Sequence, residues 1–282
     1  MKLPVGIDDY KKLIQQSFDH VDKSLFIKTF LDENAESTLI TRPRRFGKTL
    51  NMSMLYYFLS NHKVEENKTL FAGKKIETAK TNKHKSCMDF QGQYPVIFIT
   101  FKNIRANSFD EAKQQIAFIM SLLYAEHAYL STSTELMMHD KAIFNDILNG
   151  SADAVNLQYS LEILSRYLCK HHNKKAIILL DEYDTPFHTA YRCATPYHED
   201  LSNFMKLFIG AAFKGNLALE KGMLTGILRV SLMDLFSGAN SIVIRSMMTP
   251  NYQEHFGFTQ QETELLIRTQ TVDLTASEVS TR

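Results

Sequence analysis

Residues 37–51 read S37-T-L-I-T-R-P-R-R-F-G-K-T-L-N51, and the reading of this stretch decides the fold. The apolar pair Leu39-Ile40 predicts a short strand running into a loop that holds Pro43 and Gly47, and Lys48-Thr49 then opens a helix. Strand, glycine-bearing loop and helix N-terminus is the order of a phosphate-cradling loop, in which backbone N–H groups and the helix dipole face the anion. The usual spacing, G-x-x-x-x-G-K-[ST], is missed at one place, because Arg42 stands where the first glycine belongs. Arginine lacks glycine's easy access to positive φ, so the chain must enter the loop along another path, stiffened by Pro43. Taken alone, the word is equally compatible with a chance Gly-Lys-Thr.

The run after Lys48-Thr49, L-N-M-S-M-L-Y-Y-F-L, is apolar almost all round, which predicts a helix buried on more than one side. Upstream, Tyr10, Leu13, Ile14 and Phe18 recur at helical spacing behind Asp8-Asp9, and Leu25, Phe26, Phe30 and Leu31 mark a second helix. Residues 1–35 are thus expected as a helical segment on the core; outer-layer packing and a lid over a nucleotide base both stay open. Residues 63–93 read as a lysine-rich surface excursion with one short element. Its lysines 74, 75, 80, 83 and 85 suit a solvated face, or contact with a polyanion.

Y94-P-V-I-F-I-T-F101 is a nearly continuous β-branched and aromatic run, as in a strand covered on both faces. Helices are expected from Ser108, with Glu111 completing a capping box, to about Leu130, then over 143–148 and 157–168. The second landmark is K175-A-I-I-L-L-D-E-Y-D184, a buried strand ending in adjacent carboxylates. A helix over 199–213, a strand over 217–225, a short helix over 230–236, a strand over 241–244 and a helix over 260–267 complete the reading, with a polar tail expected to be disordered. This alternation predicts an α/β fold, a three-layer α/β/α sandwich with a mostly parallel central sheet. The expected division is 1–35, a nucleotide-binding domain over 36–259, and the start of a helical region over 260–282.

Composition narrows the classes. Thirty-two Lys and Arg against thirty-one Asp and Glu leave a formal charge of +1, so no global positive field recruits nucleic acid. Cys87, Cys169 and Cys193 are too few and too widely spaced for a disulfide framework or a zinc ribbon. The N-terminus turns acidic too early for a secretory leader, and no apolar run reaches membrane-spanning length. A cytoplasmic protein with no membrane partner is expected.

The two landmarks support each other chemically. Lys48 suits the β- and γ-phosphates, and the Thr49 hydroxyl suits Mg2+. Asp181 suits the shell of the same ion, and Glu182 suits the base that deprotonates the attacking water. In chain order one complete strand, over 94–101, falls between the loop strand and the Asp-Glu strand, which resembles the additional-strand class of ATPases. Thr225 suits a γ-phosphate contact or the satisfaction of a backbone group. Arg229 faces phosphate, a partner subunit or solvent. Arg44 and Arg45 place two further cations beside the phosphates, to clamp them or to pair with Asp184 or Glu182. A metal-only hydrolase built on Asp181, Glu182 and Asp184 is the weakest competitor, since no helical His pair supports it.

The stretch L39-I-T-R-P-R-R-F-G-K-T-L-N-M-S-M-L55, with V21-D-K-S, P95-V-I-F, L179-L-D-E-Y-D-T-P186, L224-T-G-I-L-R-V-S231, S237-G and H255-F-G-F-T259, resembles the AAA-ATPase-like family. The resemblance covers about residues 4–267. It implies a P-loop NTPase core of AAA-like type, with Lys48 and Thr49 as the Walker A pair and Asp181 and Glu182 as the Walker B pair. It also makes Arg42 a feature of the family. The expected nucleotide-binding set is Arg42, Pro43, Arg44, Arg45, Phe46, Gly47, Lys48, Thr49 and Leu50, joined by Thr225 and Arg229. Catalysis falls to Glu182 and Lys48, and Mg2+ to Thr49 and Asp181.

Two departures stand out. The chain has S237-G-A-N-S241 where the family commonly reads S-G-L-N-N. The family also continues past F-G-F-T-x-x-E into a helical region and a domain resembling PD-(D/E)xK nucleases, which the remaining residues here are too few to form. The expectation is an ATP- and Mg2+-dependent ATPase that couples hydrolysis to a conformational or assembly change. Its alternative is a nucleotide-binding module with little turnover, completed by a homo-oligomer or protein partner, or serving a nucleic-acid-processing one.

Overall fold

The computed structural model describes residues 4–193, 197–227 and 242–268. Five strands form one sheet: β1 (Ser37–Thr41), β2 (Val96–Thr100), β3 (Ala176–Asp181), β4 (Leu219–Gly226) and β5 (Ile242–Arg245), in the order β2-β3-β4-β1-β5. Every pairing is parallel. Parallel neighbours need crossovers, and helices supply them: α3 (Lys48–Leu59), α5 (Phe109–Glu126), α6 (Met138–Leu148), α7 (Ala154–His172), α8 (Thr185–Arg192) and α9 (His198–Phe213). The N-terminal α1 (Tyr10–Gln15) and α2 (Leu25–Asp32), the short α4 (Val64–Lys68) and a helix over 260–268, α10, complete the described elements.

The alternation of side chains along each strand divides the core into two layers. Leu39, Ile178, Leu180 and Leu224 point to the layer built by α5, α6, α7 and α9. Ile40, Ile177, Leu179 and Met223 point to the layer built by α1, α2 and α3. The sheet is therefore covered on both faces, as the unbroken apolar runs predict, and the three-layer α/β/α architecture stands.

Two segments differ from the sequence reading. Residues 63–93 are more than a surface excursion, because Leu70, Phe71, Ile76 and Cys87 are buried against α1, α2 and α3 through α4 and three 3-10 turns. Sparse apolar residues at irregular spacing anchor short turns one by one, so no period marks them. Helix α8 also has no counterpart in the sequence reading; it follows D-E-Y-D with Pro186 in its first turn, where a missing N–H costs nothing. The short helix expected over 230–236, the residue Arg229 and the tail beyond 268 lie outside the described residues.

Candidate functional site

The site forms at the C-terminal edge of the sheet, where the registers bring three oxygen-bearing residues into one row. Thr100 of β2 lies beside Asp181 of β3, and Leu180 beside Leu224 sets Thr225 of β4 level with Asp181. All three share the parity of Ile177, Leu179 and Met223, so they sit on the face that α3 covers. The carboxylate of Asp181 is fully buried. It accepts hydrogen bonds from Thr49 Oγ1 at 2.8 Å, from Thr100 Oγ1 at 3.3 Å and from Thr225 Oγ1. A buried carboxylate needs such donors, because its desolvation is otherwise uncompensated.

Across from this row, the loop turns into α3. Arg45 and Gly47 take left-handed φ of 68° and 76°, and Gly47 caps the helix. Arg42 is not among the residues of positive φ, so the conformation that glycine would supply at the loop entrance is relocated to Arg45. The first turn of α3 carries no acidic residue, which leaves its N–H groups and dipole free to meet an anion. Lys48 is almost fully buried, and its Nζ donates to the carbonyls of Arg42 (3.1 Å) and Pro43 (3.0 Å). Burial pushes the ammonium's pKa down, nearby Glu182, Asp181 and Asp184 pull it back, and Arg44 lowers it further. Arg44 and Arg45 are exposed, and among the described residues neither is seen in an ion pair, with Asp184, Glu182 or otherwise.

Glu182 leaves the end of β3 with φ of 51° and is half-exposed. Its amide donates to Thr225 Oγ1 at 3.3 Å, and its Oε2 accepts from Thr185 Oγ1 at 3.3 Å. The Thr225 hydroxyl thus accepts from one acidic residue's backbone and donates to the other's side chain. The bond from the Glu182 amide is a backbone contact, and Thr225 has no solvent exposure. Asp184 turns elsewhere: its Oδ2 accepts from Ile227 N at 2.8 Å and lies 3.3 Å from His188 Nε2. Among the described residues no group of three or more His, Cys, Asp or Glu side chains is placed to hold a metal ion. The sheet tolerates no bulk here, since a Cβ on Gly226 would meet Tyr183 Cε1 at 2.5 Å and Asp184 Oδ1 at 2.9 Å.

Four of the expected loop residues act through backbone or packing. Pro43 offers its carbonyl to Lys48. Phe46 accepts the amide of Gly257 at 3.1 Å, Gly47 accepts the amide of Asn51 at 2.9 Å, and Leu50 packs into the α1–α3 layer. The Arg42 guanidinium is turned away from the loop into a buried contact with residues 245–256. One participant carries almost no signal in the sequence. Thr100 carries only the weak signal of a hydroxyl ending a strand next to the acidic one. Lys102, two residues on, pairs with Asp8 at 2.8 Å, and that bond is the main cause of its raised pKa. A cavity of about 640 Å3 opens at the opposite edge of the sheet, between Tyr56, Phe98, His127 and His172, and shares no lining residue with the loop.

A parallel sheet with β4 inserted between the loop strand and the acidic strand, and a glycine–lysine–threonine helix start facing a buried aspartate, define a P-loop NTPase-type fold of the AAA-like class. The chain belongs to the AAA-ATPase-like family of predicted AAA-ATPases, whose sequence model matches residues 4–236. It is similar, at 22% identity over 99% of its own length, to an uncharacterised protein from the vnfD 5′ region of Azotobacter chroococcum mcd 1, and it spans 47% of that protein. No solved structure matches it. Among the described residues no helix is long and apolar enough to cross a membrane.

Proposed function

We propose that the protein binds ATP with Mg2+ at the 42–49 loop and hydrolyses it to ADP and phosphate. The observation that carries this reading is the 2.8 Å bond between Thr49 Oγ1 and Asp181 Oδ2, which joins the two landmarks across the sheet edge beside Lys48. The donor set suits the ion, because Mg2+ takes hard oxygen ligands and a hydroxyl and a carboxylate converge here. When bound, Mg2+ neutralises charge on the phosphate oxygens. The amides at the start of α3 cradle the phosphates, and Lys48 exchanges the carbonyls of Arg42 and Pro43 for phosphate oxygens. Glu182, half-exposed at the strand end, takes a proton from the water that attacks the γ-phosphorus as the bond to the bridging oxygen breaks.

In this reading Thr225 holds the acidic pair in place, and Arg44 and Arg45 are the cations available to the phosphate tail. The test is Mg-dependent ATP turnover and binding by wild type, Glu182→Gln and Lys48→Ala. Retained binding with lost turnover in the first variant, and lost binding in the second, support the reading. Undiminished hydrolysis in a clean E182Q preparation overturns the assignment of the base. One observation favours a slower module: the phosphate lysine is tied to carbonyls of its own loop. ATP binding without phosphate release would select that module.

A further inference from the structure

The loop is fastened on the side away from the acidic strand ends, and one residue belongs to both sides. Arg42 Nη1 donates to the carbonyls of Thr41 and Arg245, each at 2.9 Å, and Nη2 to that of Tyr252 at 3.2 Å. Its guanidinium carbon lies 5.1 Å from the centre of the Phe256 ring. Arg42 is 2% exposed and its charge faces carbonyl dipoles and a ring, and among the described residues no carboxylate is bonded to it. The carbonyl of the same residue receives the ammonium of Lys48. We infer that Arg42 is a positioning residue that ties the phosphate loop to residues 245–257, so that filling the phosphate site and ordering this segment are coupled. The inference rests on the nucleotide-binding reading above.

Two further contacts fasten the same segment to the loop. Gly257 N donates to Phe46 O at the loop exit, and Asn51 Nδ2 donates to His255 O at 2.8 Å from the first turn of α3. The segment is anchored in turn to the N-terminal layer. Arg245 makes a two-point pair with Glu33 at 2.9 Å, Tyr252 Oη donates to Glu33 at 3.0 Å, and His255 Nε2 meets Thr29 Oγ1 at 2.8 Å. Phe26 packs against Tyr252, His255 and Phe256. A planar five-donor fork can span three carbonyls and stack on a ring at once, whereas lysine offers a point charge and glycine offers nothing. Arginine at this position therefore exchanges glycine's conformational freedom for a cross-brace. When Lys48 moves to a phosphate, it releases the Arg42 carbonyl, and Arg42 is then held by its side chain on the segment and by its amide, which donates to Gly226 O at 3.1 Å. Coupling of this kind is reciprocal, so a docked segment must favour nucleotide to the degree that nucleotide favours docking.

The experiment uses the full chain and measures Mg·ADP affinity together with amide hydrogen exchange, with and without Mg·ADP, in wild type, Arg42→Lys, Arg42→Gly and Phe256→Leu. In wild type, Mg·ADP changes the protection of residues 252–257. Arg42→Lys weakens Mg·ADP roughly 10-fold, speeds exchange of residues 46–50 and 252–257 together in the nucleotide-free protein, and abolishes the ADP-dependent change. Phe256→Leu moves the same readouts the same way by less, and carries the test if the arginine variants fail to fold. Arg42→Gly binding Mg·ADP as tightly as wild type overturns the inference. So does loosening of 252–257 with loop amides at their wild-type rates, which marks Arg42 as a structural contact only. If wild type binds neither Mg·ADP nor Mg·ATP, the nucleotide reading fails, and the tie between loop and segment is then decided by nucleotide-free exchange alone.

Discussion

The two flanks of the phosphate loop are held by opposite means. On the acidic flank, short hydroxyl side chains of Thr49, Thr100 and Thr225 surround one buried carboxylate, each placed by a strand end or a helix start. On the other flank, the long side chain of Arg42 reaches main-chain carbonyls of residues some two hundred positions away. Short side chains lose little rotamer freedom when fixed, so the acidic flank is rigid as soon as the sheet forms. A guanidinium in a buried setting is ordered only while its partners stay docked, so the second flank is the one able to change with ligand. Under the proposed function, the first flank carries the chemistry and the second the response to ligand.

The largest expected effect separates chemistry from binding on the acidic flank. Glu182→Gln should lower turnover about 100-fold or more while ATP affinity stays within about threefold, read by phosphate release and titration. Next, Gly226→Ala should cost about 3 kcal/mol in chemical denaturation, because its Cβ has nowhere to go between Tyr183 and Asp184. Thr225→Val should cost about 2 kcal/mol and weaken Mg-dependent binding, since both the Asp181 oxygen and the Glu182 amide lose a partner. A variant as stable as wild type would show that the acidic flank is not rigidly held.

The other flank is addressed by pH. Burial, with Lys23 and Arg42 nearby and only partial opposition from the Asn251 backbone and Glu262, pushes His255 down to about 4 from an ordinary value near 6.5. The folded pKa is the lower one, so the unfolded chain binds more protons between these values. Stability should therefore fall as pH drops from about 6.5 to about 4, by about 1–2 kcal/mol after discounting for partial exposure. His255→Gln should flatten part of that slope. His127, pushed to about 4 by burial and by His172 and His62 at the far cavity, accounts for more of it. Smallest is Thr100→Val, about 1 kcal/mol, because Asp181 keeps two of its three hydroxyl donors.

Much of this was legible in the chain. Leu39-Ile40 with Gly47-Lys48-Thr49, and the apolar run ending in Asp181-Glu182, are local words whose chemistry follows from residue type and spacing. The all-round apolar character of 50–59 and the unbroken runs of β2 and β3 foretold a sheet covered on both faces. Less legible was Thr100, a commonplace threonine until register set it beside Asp181. Thr225 was visible, but its reading as a phosphate contact or a backbone partner depended on where its hydroxyl points. The segment 63–93 looked solvated because its buried residues follow no period.

By itself, the sequence determined the class of fold, and it marked the residues to which the proposed function gives phosphate, Mg2+ and water. These rest on local periodicity and on side-chain chemistry, both carried by neighbouring residues. Only the tertiary structure decided where the side chain of Arg42 goes. A missing glycine is visible at position 42, but the carbonyls of Arg245 and Tyr252 and the ring of Phe256 that replace its function come from the far end of the described chain. No local rule joins them to the loop. The fold does so, because β5 lies beside β1 and delivers residues 245–257 to the loop's blind side.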